Sequence, residues 1–365
     1  MKRVLILEPY YGGSHRLFLK GLQQTVEAEY TLLSLPARKW KQRMQLSAFW
    51  FVQEIKKIAE GQRWFDTVLC STFVDVAVLR ALISSVSGWN PKAQLNTYFH
   101  ENQFAYPGQL NDPTIRHFAA INFKTAMASD RCAFNSKFNL DSFLAAVQFG
   151  LNKAADIKLP HCVDEIREKS VVLYPGMNYS SIDTIQNSKK AMNDSPQTIV
   201  WNHRWEHDKG PELFFDALYQ LQEKGVAFHL VVLGESFRNA PPCFEEARKK
   251  LAGEIVHFGY AEDREEYARL LYQADLIVST ARHEFFGISI LEGIRAGCYP
   301  LLPADLSYPE LYDEEFLYAP GKLFRRLKGF LESPVNLGME RSRALTNRFD
   351  WQQSKNQYVK WLFGT

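Results

Sequence analysis

The 365 residues are 46% hydrophobic and 23% charged, enough apolar material to bury sizeable cores and enough length for two domains of ordinary size. No low-complexity tract, long-period repeat or membrane-length apolar run interrupts them, which excludes a repeat array and a helical membrane span. The net charge of +2 joins unequal halves: 21 Lys and Arg against 15 Asp and Glu in residues 1–175, but 22 against 26 in residues 176–365.

Apolar runs predict strands at 3–8, 30–35, 66–70, 94–99, 130–134 and 170–174, separated by helices such as 14–28, 47–60, 74–85, 112–127 and 136–148. The first run is four residues long and stops at Glu8, so it reads as a strand rather than a signal peptide. The polar segment from Asn178 to Gln197 reads as a linker. Strands near 198–202, 227–233, 254–258, 275–279, 299–302 and 316–318 then repeat the scheme. The alternation predicts an α/β chain of two doubly wound, Rossmann-like domains facing a central cleft, at 1–177 and 198–348. A last helix over 349–365 either caps its own domain or returns to the first. Cys70, Cys132, Cys162, Cys243 and Cys298 are scattered, odd in number and without metal spacing, which makes a reducing cytoplasm the expected setting.

Four clusters sit where open α/β sheets bind ligands, just after predicted strands. Gly12 and Gly13, in Pro9-Tyr10-Tyr11-Gly12-Gly13-Ser14-His15, allow a ligand close to the backbone but lack the three-glycine dinucleotide fingerprint. His100, Glu101 and Asn102 follow the fourth strand. Arg204 and Lys209 project from the loop of Trp201-Asn202-His203-Arg204-Trp205-Glu206-His207-Asp208-Lys209-Gly210-Pro211, which enters a helix at proline. In His283-Glu284-Phe285-Phe286-Gly287-Ile288-Ser289-Ile290-Leu291-Glu292, the loop at Phe286, Gly287 and Ile288 becomes a helix start whose free N–H groups suit a phosphate. Glu292 lies further into that helix, where a carboxylate can reach a ribose diol. The chain holds no Asp-x-Asp and no histidine pair with zinc spacing, so no metal and no other cofactor is expected.

The paired glutamates resemble the motif of retaining GT-B glycosyltransferases, and the Arg204 and Lys209 loop resembles the clamp those enzymes place on the donor diphosphate. That resemblance implies a GT-B fold in which Arg204, Lys209, Glu284 and His100 work at the reaction centre. It places Gly12, Gly13, Phe286, Gly287, Ile288 and Glu292 against the donor, and Gly259 and Tyr260 are the expected base pocket. It also implies that the last helix returns to the first domain, with hinges near Pro175-Gly176 and before Trp351. Six segments in order, among them Tyr10-Tyr11-Gly12-Gly13-Ser14-His15, Phe99-His100-Glu101-Asn102-Gln103 and His203-Arg204-Trp205-Glu206-His207-Asp208-Lys209, are similar to the tRNA-queuosine alpha-mannosyltransferase family. Residues 151–169 match it only loosely. This resemblance implies a GDP-mannose donor and the queuosine of an aspartate tRNA as acceptor.

The basic first half agrees with a polyanionic partner. Its sharpest concentration is Arg38-Lys39-Trp40-Lys41-Gln42-Arg43, where the cations would meet phosphates and Trp40 would stack on a base. His15, Glu101 and Asn102 complete the expected acceptor surface. Two alternatives stay open. The acceptor could be a lipid or polysaccharide, since helix 47–60 carries Phe49, Trp50, Phe51, Ile55 and Ile58 beside Lys56 and Lys57. The chain could also be a module that binds nucleotide sugar or RNA without turnover. No stable membrane insertion is expected, and the sequence is silent on oligomeric state.

Overall fold

A computed structural model describes residues 1–105, 113–153, 156–185, 196–236 and 240–364, with the side chains of 113–115 outside the description. It divides into two units: Met1–Met177 with Trp351–Thr365, and Asn178–Asp350.

Unit 1 is a six-stranded parallel sheet in the order β2-β1-β3-β4-β5-β6, made of β1 Arg3–Tyr11, β2 Glu29–Pro36, β3 Thr67–Ser71, β4 Gln94–Phe99, β5 Arg131–Phe134 and β6 Ser170–Val172. Both faces are covered, so the inner strands read as continuous apolar runs, as in the fully buried Thr67-Val68-Leu69-Cys70-Ser71. One face packs on α2 (Trp40–Lys57) and α3 (Val76–Ile83) through Phe51, Val52, Ile55 and Leu79. Against the other lies α1 (Gly13–Thr25), with Phe18, Leu19 and Leu22 meeting Tyr358, Trp361 and Leu362 of the last helix, Trp351–Phe363. Trp351 fills a slot floored by glycines: a Cβ on Gly21 would stand 1.9 Å from its ring, and one on Gly176 2.1 Å. Its backbone N–H donates to the Met177 carbonyl at 3.3 Å, so the chain's exit from this unit and its return are hydrogen-bonded together. Helices α4 (Pro113–Ala128), α5 (Lys137–Asn152) and α6 (His161–Glu168) complete the unit.

Unit 2 repeats the plan in the order β12-β11-β10-β7-β8-β9, with β7 Thr198–Asn202, β8 His229–Leu233, β9 Ile255–Gly259, β10 Leu276–Val278, β11 Tyr299–Pro303 and β12 Leu317–Tyr318. Its helices are α7 Ser180–Asp183, α8 Pro211–Glu223, α9 Cys243–Lys250, α10 Arg264–Gln273, α11 Ile288–Ala296, α12 Tyr308–Leu311, α13 Leu323–Glu332 and α14 Met339–Thr346. The order in which strands are added reverses beside β1 in the first sheet and beside β7 in the second. Ligands bind such sheets at these switch points.

Two expectations change. Helix α2 begins at Trp40, seven residues before the apolar spacing begins, because Trp40 and Met44 supply the first inward-facing turn. The predicted linker is not featureless at its start: residues 180–183 form α7, with Ile182 buried and Asp183 paired to Arg295 at 2.7 Å and to Arg343. The burial of Arg295 explains this, since a buried guanidinium needs a counter-charge. Residues 186–195 of that segment lie outside the described residues.

Candidate active site

In unit 2, β7 and β10 end side by side at the switch point. The loop after β7 carries Lys209 into the interior, where its Nζ donates to the His283 carbonyl at 2.7 Å and to Glu284 Oε2 at 3.2 Å. The other carboxylate oxygen of Glu284 accepts the N–H groups of Phe285, Phe286 and Gly287 at 3.1–3.3 Å. Glu284 thus occupies part of the helix-start site expected to be open, while the Ile288 and Ser289 amides bond to no acceptor among the described residues. Gly287, at φ +88°, supplies the left-handed turn that bends the loop into α11. Burial works against the Glu284 carboxylate, but Lys209 foremost, His203 and the loop amides prevail and hold its pKa at about 2. Burial first and Lys209 second push His203 down to about 3, so it is neutral. Arg204 stays 55% exposed beside Glu206, at 3.1 Å.

One turn into α11, the buried Glu292 accepts from Tyr267 at 2.6 Å and pairs with Arg264. Asn202 at the end of β7 donates to the same Tyr267 hydroxyl at 2.7 Å. Asn202, Arg264 and Tyr267 escaped the sequence reading, because Arg264-Glu265-Glu266-Tyr267 looks like an ordinary solvated helix start; nothing in the chain marks it. Gly259, of the expected base pocket, ends β9 at the edge of the sheet, and Tyr260 beside it is 73% exposed.

Unit 1 gathers a second cluster at its own switch point. Glu8, 1% exposed on β1, accepts from His15 Nδ1 at 3.0 Å, from the Tyr10 N–H at 2.7 Å and from the Ser71 hydroxyl at 3.2 Å. Glu101 approaches His15 Nε2 from the opposite side at 3.9 Å. Burial disfavours a charged His15, yet the two carboxylates, Glu8 first, raise its pKa to about 10. His100 lies with its ring centroid 4.0 Å from that of His15; burial, then the neighbouring imidazolium, pull its pKa well down. Glu8, His15 and His100 bring ligand-type atoms within 4.8 Å of one another, the only such trio among the described residues. In the protonated state the His15 ring donates from both nitrogens toward the two carboxylates.

The remaining acceptor expectations divide. Gly12 and Gly13 lie at the end of β1; a Cβ on Gly12 would strike Ala37 at 2.5 Å, so packing alone requires a glycine there. Asn102 is fully buried and braces the loop: its amide donates to Asn139 and Ser142, and its oxygen accepts from the N–H groups of Phe104 and Ala105. That leaves it no atom for an acceptor. Arg38, Lys39 and Lys41 are exposed around the start of α2, and Arg43 is half-buried. The Trp40 ring does not stand free for a base but packs 5.1 Å from Phe118 and 6.3 Å from Phe73. Of the five apolar residues read on helix 47–60, Phe51 and Ile55 are buried and Trp50 and Ile58 pack on the same core; Phe49 is exposed, beside Leu46 one turn earlier in α2. Among the described residues, no helix is long and apolar enough to cross a membrane.

Known proteins resemble both units. Residues 3–177 match the model of the tRNA-queuosine alpha-mannosyltransferase N-terminal region, and residues 183–334 match glycosyl transferases group 1. The tRNA-queuosine alpha-mannosyltransferase of Drosophila melanogaster is 35% identical over 98% of this chain and 95% of its own. The chain belongs to the tRNA-queuosine alpha-mannosyltransferase family. For this member of that family, the family-specific match lies on unit 1 and the general glycosyltransferase match on unit 2. The GDP-mannose:cellobiosyl-diphosphopolyprenol alpha-mannosyltransferase of Xanthomonas oryzae is 21% identical over 45% of this chain and 46% of its own. Among solved structures, sucrose-phosphate synthase from Thermosynechococcus elongatus superposes with a TM-score of 0.71 at 13% identity over 99% of this chain and 98% of that one. HepE of Anabaena in complex with UDP-glucose reaches 0.70 at 15% identity over the whole of both chains. These likenesses show the fold, the expected GT-B architecture.

Proposed function

We propose that this enzyme transfers mannose from GDP-mannose, with retention, to the queuosine nucleoside in the anticodon of an aspartate tRNA. The observation that carries the reading is the identity to the Drosophila enzyme across both units, because it includes the half that a general glycosyltransferase relationship would leave unmatched. In this reading unit 2 takes the donor. Charge develops on the leaving diphosphate as the glycosidic bond breaks, and groups already oriented toward that charge lower the barrier. Arg204, exposed beside the loop, and the open Ile288 and Ser289 amides at the start of α11 are suited to it. Lys209 and Glu284 hold the loop in shape, and Glu292, fixed by Arg264 and Tyr267, is oriented for the ribose. His100 would face the sugar as a neutral ring.

Unit 1 takes the tRNA. Helix α2 starts with no acidic residue in its first turn and no side-chain cap, while Arg38, Lys39, Lys41 and Arg43 surround its end. Cations at a helix N-terminus oppose the helix dipole, and a phosphate there would satisfy both. Reduced, mostly buried cysteines agree with a cytoplasmic setting. The test is Arg204→Ala: transfer to queuosine-containing tRNA should fall at least a hundredfold while the unfolding midpoint stays at the wild-type value. Retained turnover would remove Arg204 from the diphosphate site.

A further inference from the structure

The Glu8, His15 and Glu101 cluster asks for an explanation that stability does not provide. Glutamate is almost never fully buried unless paired, and a buried ion pair commonly costs as much in desolvation as it returns. Glu8 is nevertheless buried on the central part of the sheet, next to the switch point. Three donors from three different places, the His15 ring, the Tyr10 amide and the Ser71 hydroxyl, fix its two oxygens. His15 is held from its other side by Phe73, whose ring stacks on it at 5.4 Å with 13° between planes. Nothing in this arrangement leaves the imidazole free to turn. Beyond it stands Glu101, 18% exposed in its side chain, with one oxygen toward His15 and the other, Oε1, buried and without a hydrogen-bond partner.

A buried carboxylate oxygen without a donor bears its full desolvation cost uncompensated, the more so when charged. Such an atom is expected where a ligand supplies the missing donor. We propose that Glu8 is a positioning residue that fixes the His15 ring, that His15 in turn fixes Glu101, and that Glu101 Oε1 accepts a hydrogen bond from a hydroxyl of the acceptor. The proposal rests on the acceptor reading given above and specifies its first polar contact. Glu8 does not touch the acceptor; it acts through His15. The donor acts on unit 2 and is not part of this chain of contacts.

The groups facing His15 from the elements around it are Glu8 and Tyr10 on β1, Phe73 after β3, and His100 and Glu101 after β4. Of these only Glu8 and Glu101 supply negative charge close to the ring. Replacing Glu8 by glutamine keeps an acceptor oxygen for Tyr10 and Ser71 but removes the nearer of the two charges. The His15 proton should then be lost at a pH within the working range of the enzyme.

The experiment measures initial rates of transfer to queuosine-containing tRNA for wild type, Glu8→Gln and Glu101→Gln from pH 6 to 9, with the two KM values determined separately. Nitrogen-15 spectra of the His15 ring are recorded alongside. The expected result is a tenfold or greater rise in acceptor KM for both variants, with donor KM and donor hydrolysis within twofold of wild type. Glu8→Gln alone should gain a falling limb between pH 6 and 9, at the pH where its His15 signals change from imidazolium to neutral; in wild type they should stay imidazolium throughout. Glu101→Gln, at a partly exposed position, should keep the wild-type unfolding midpoint, so its acceptor KM reads the contact even if Glu8→Gln folds poorly. Acceptor KM within twofold of wild type in Glu101→Gln, or a His15 ring indifferent to Glu8→Gln, overturns the proposal. A wild-type enzyme that hydrolyses GDP-mannose yet leaves queuosine unmodified overturns the acceptor reading itself, which distinguishes that failure from the failure of the relay.

Discussion

Replacing Lys209 by alanine should destabilise unit 2 in a manner that depends on pH. The ammonium is buried and contacts the His283 carbonyl, Glu284 at 3.2 Å and Asp208 at 3.5 Å. Its loss strands the Glu284 carboxylate, whose pKa lies at about 2 in the folded chain against 4.5 ordinarily. A shift of that size is worth about 3 kcal/mol at neutral pH. Breaking a buried pair from one side costs about 3–5 kcal/mol by an independent measure, so the two agree. The folded pKa is depressed, so the stabilisation is fully present above pH 4.5 and is lost as the pH falls toward 2. The deficit of Lys209→Ala should therefore shrink from about 3 kcal/mol at pH 7 to about 1 kcal/mol at pH 3. Urea unfolding followed by tryptophan fluorescence at both pH values measures it, since Trp201 and Trp205 lie in this unit. A deficit equal at pH 7 and pH 3 would refute the reasoning, because it would assign the loss to packing alone.

Gly21→Ala should cost unit 1 about 1–3 kcal/mol, since the new methyl would need the space of the Trp351 ring; an unchanged calorimetric transition would show that the slot yields. Arg295→Met, which frees Asp183 from its buried partner, should lower stability by about 2 kcal/mol, less than for a fully buried pair because Asp183 is one-third exposed; equal urea midpoints for the variant and wild type would contradict this. Tyr267→Phe should raise donor KM several-fold with kcat little changed, because it loosens Glu292 rather than the reaction centre; a fall in kcat at constant KM would move Tyr267 into the chemistry.

All twelve strands among the described residues were legible in the sequence, the inner ones for a physical reason: strands covered on both faces are uninterrupted apolar runs, bounded by loops that must hold the polar ligands. The run from Glu284 to Glu292 was legible because loop, glycine and helix periodicity coincide within a few residues. What stayed hidden depends on contacts between distant segments. Glu8 sits at the end of an apolar run and looks like the residue that stops it; only the pairing of β1 with β3, and of β3 with β4, brings the β1–α1 corner that holds Glu8 and His15 to Ser71 and Glu101. Trp40 looked like a free aromatic among cations because Phe73 and Phe118, which cover it, lie 33 and 78 residues further along. Asn102 shared a tetrapeptide with His100 and Glu101, yet its side chain bonds to Asn139 and Ser142 of α5, while theirs gather at His15. Asp183 read as linker polarity, and its partner Arg295 is 112 residues away.

The most direct test of the account is mass spectrometry of nucleosides from queuosine-containing tRNA after incubation with the purified protein, with GDP-mannose in one reaction and UDP-sugars in parallel ones. Queuosine is expected to gain one hexose with GDP-mannose and none with the UDP-sugars. Queuosine left unmodified by every donor, or modified only from a UDP-sugar, would contradict it.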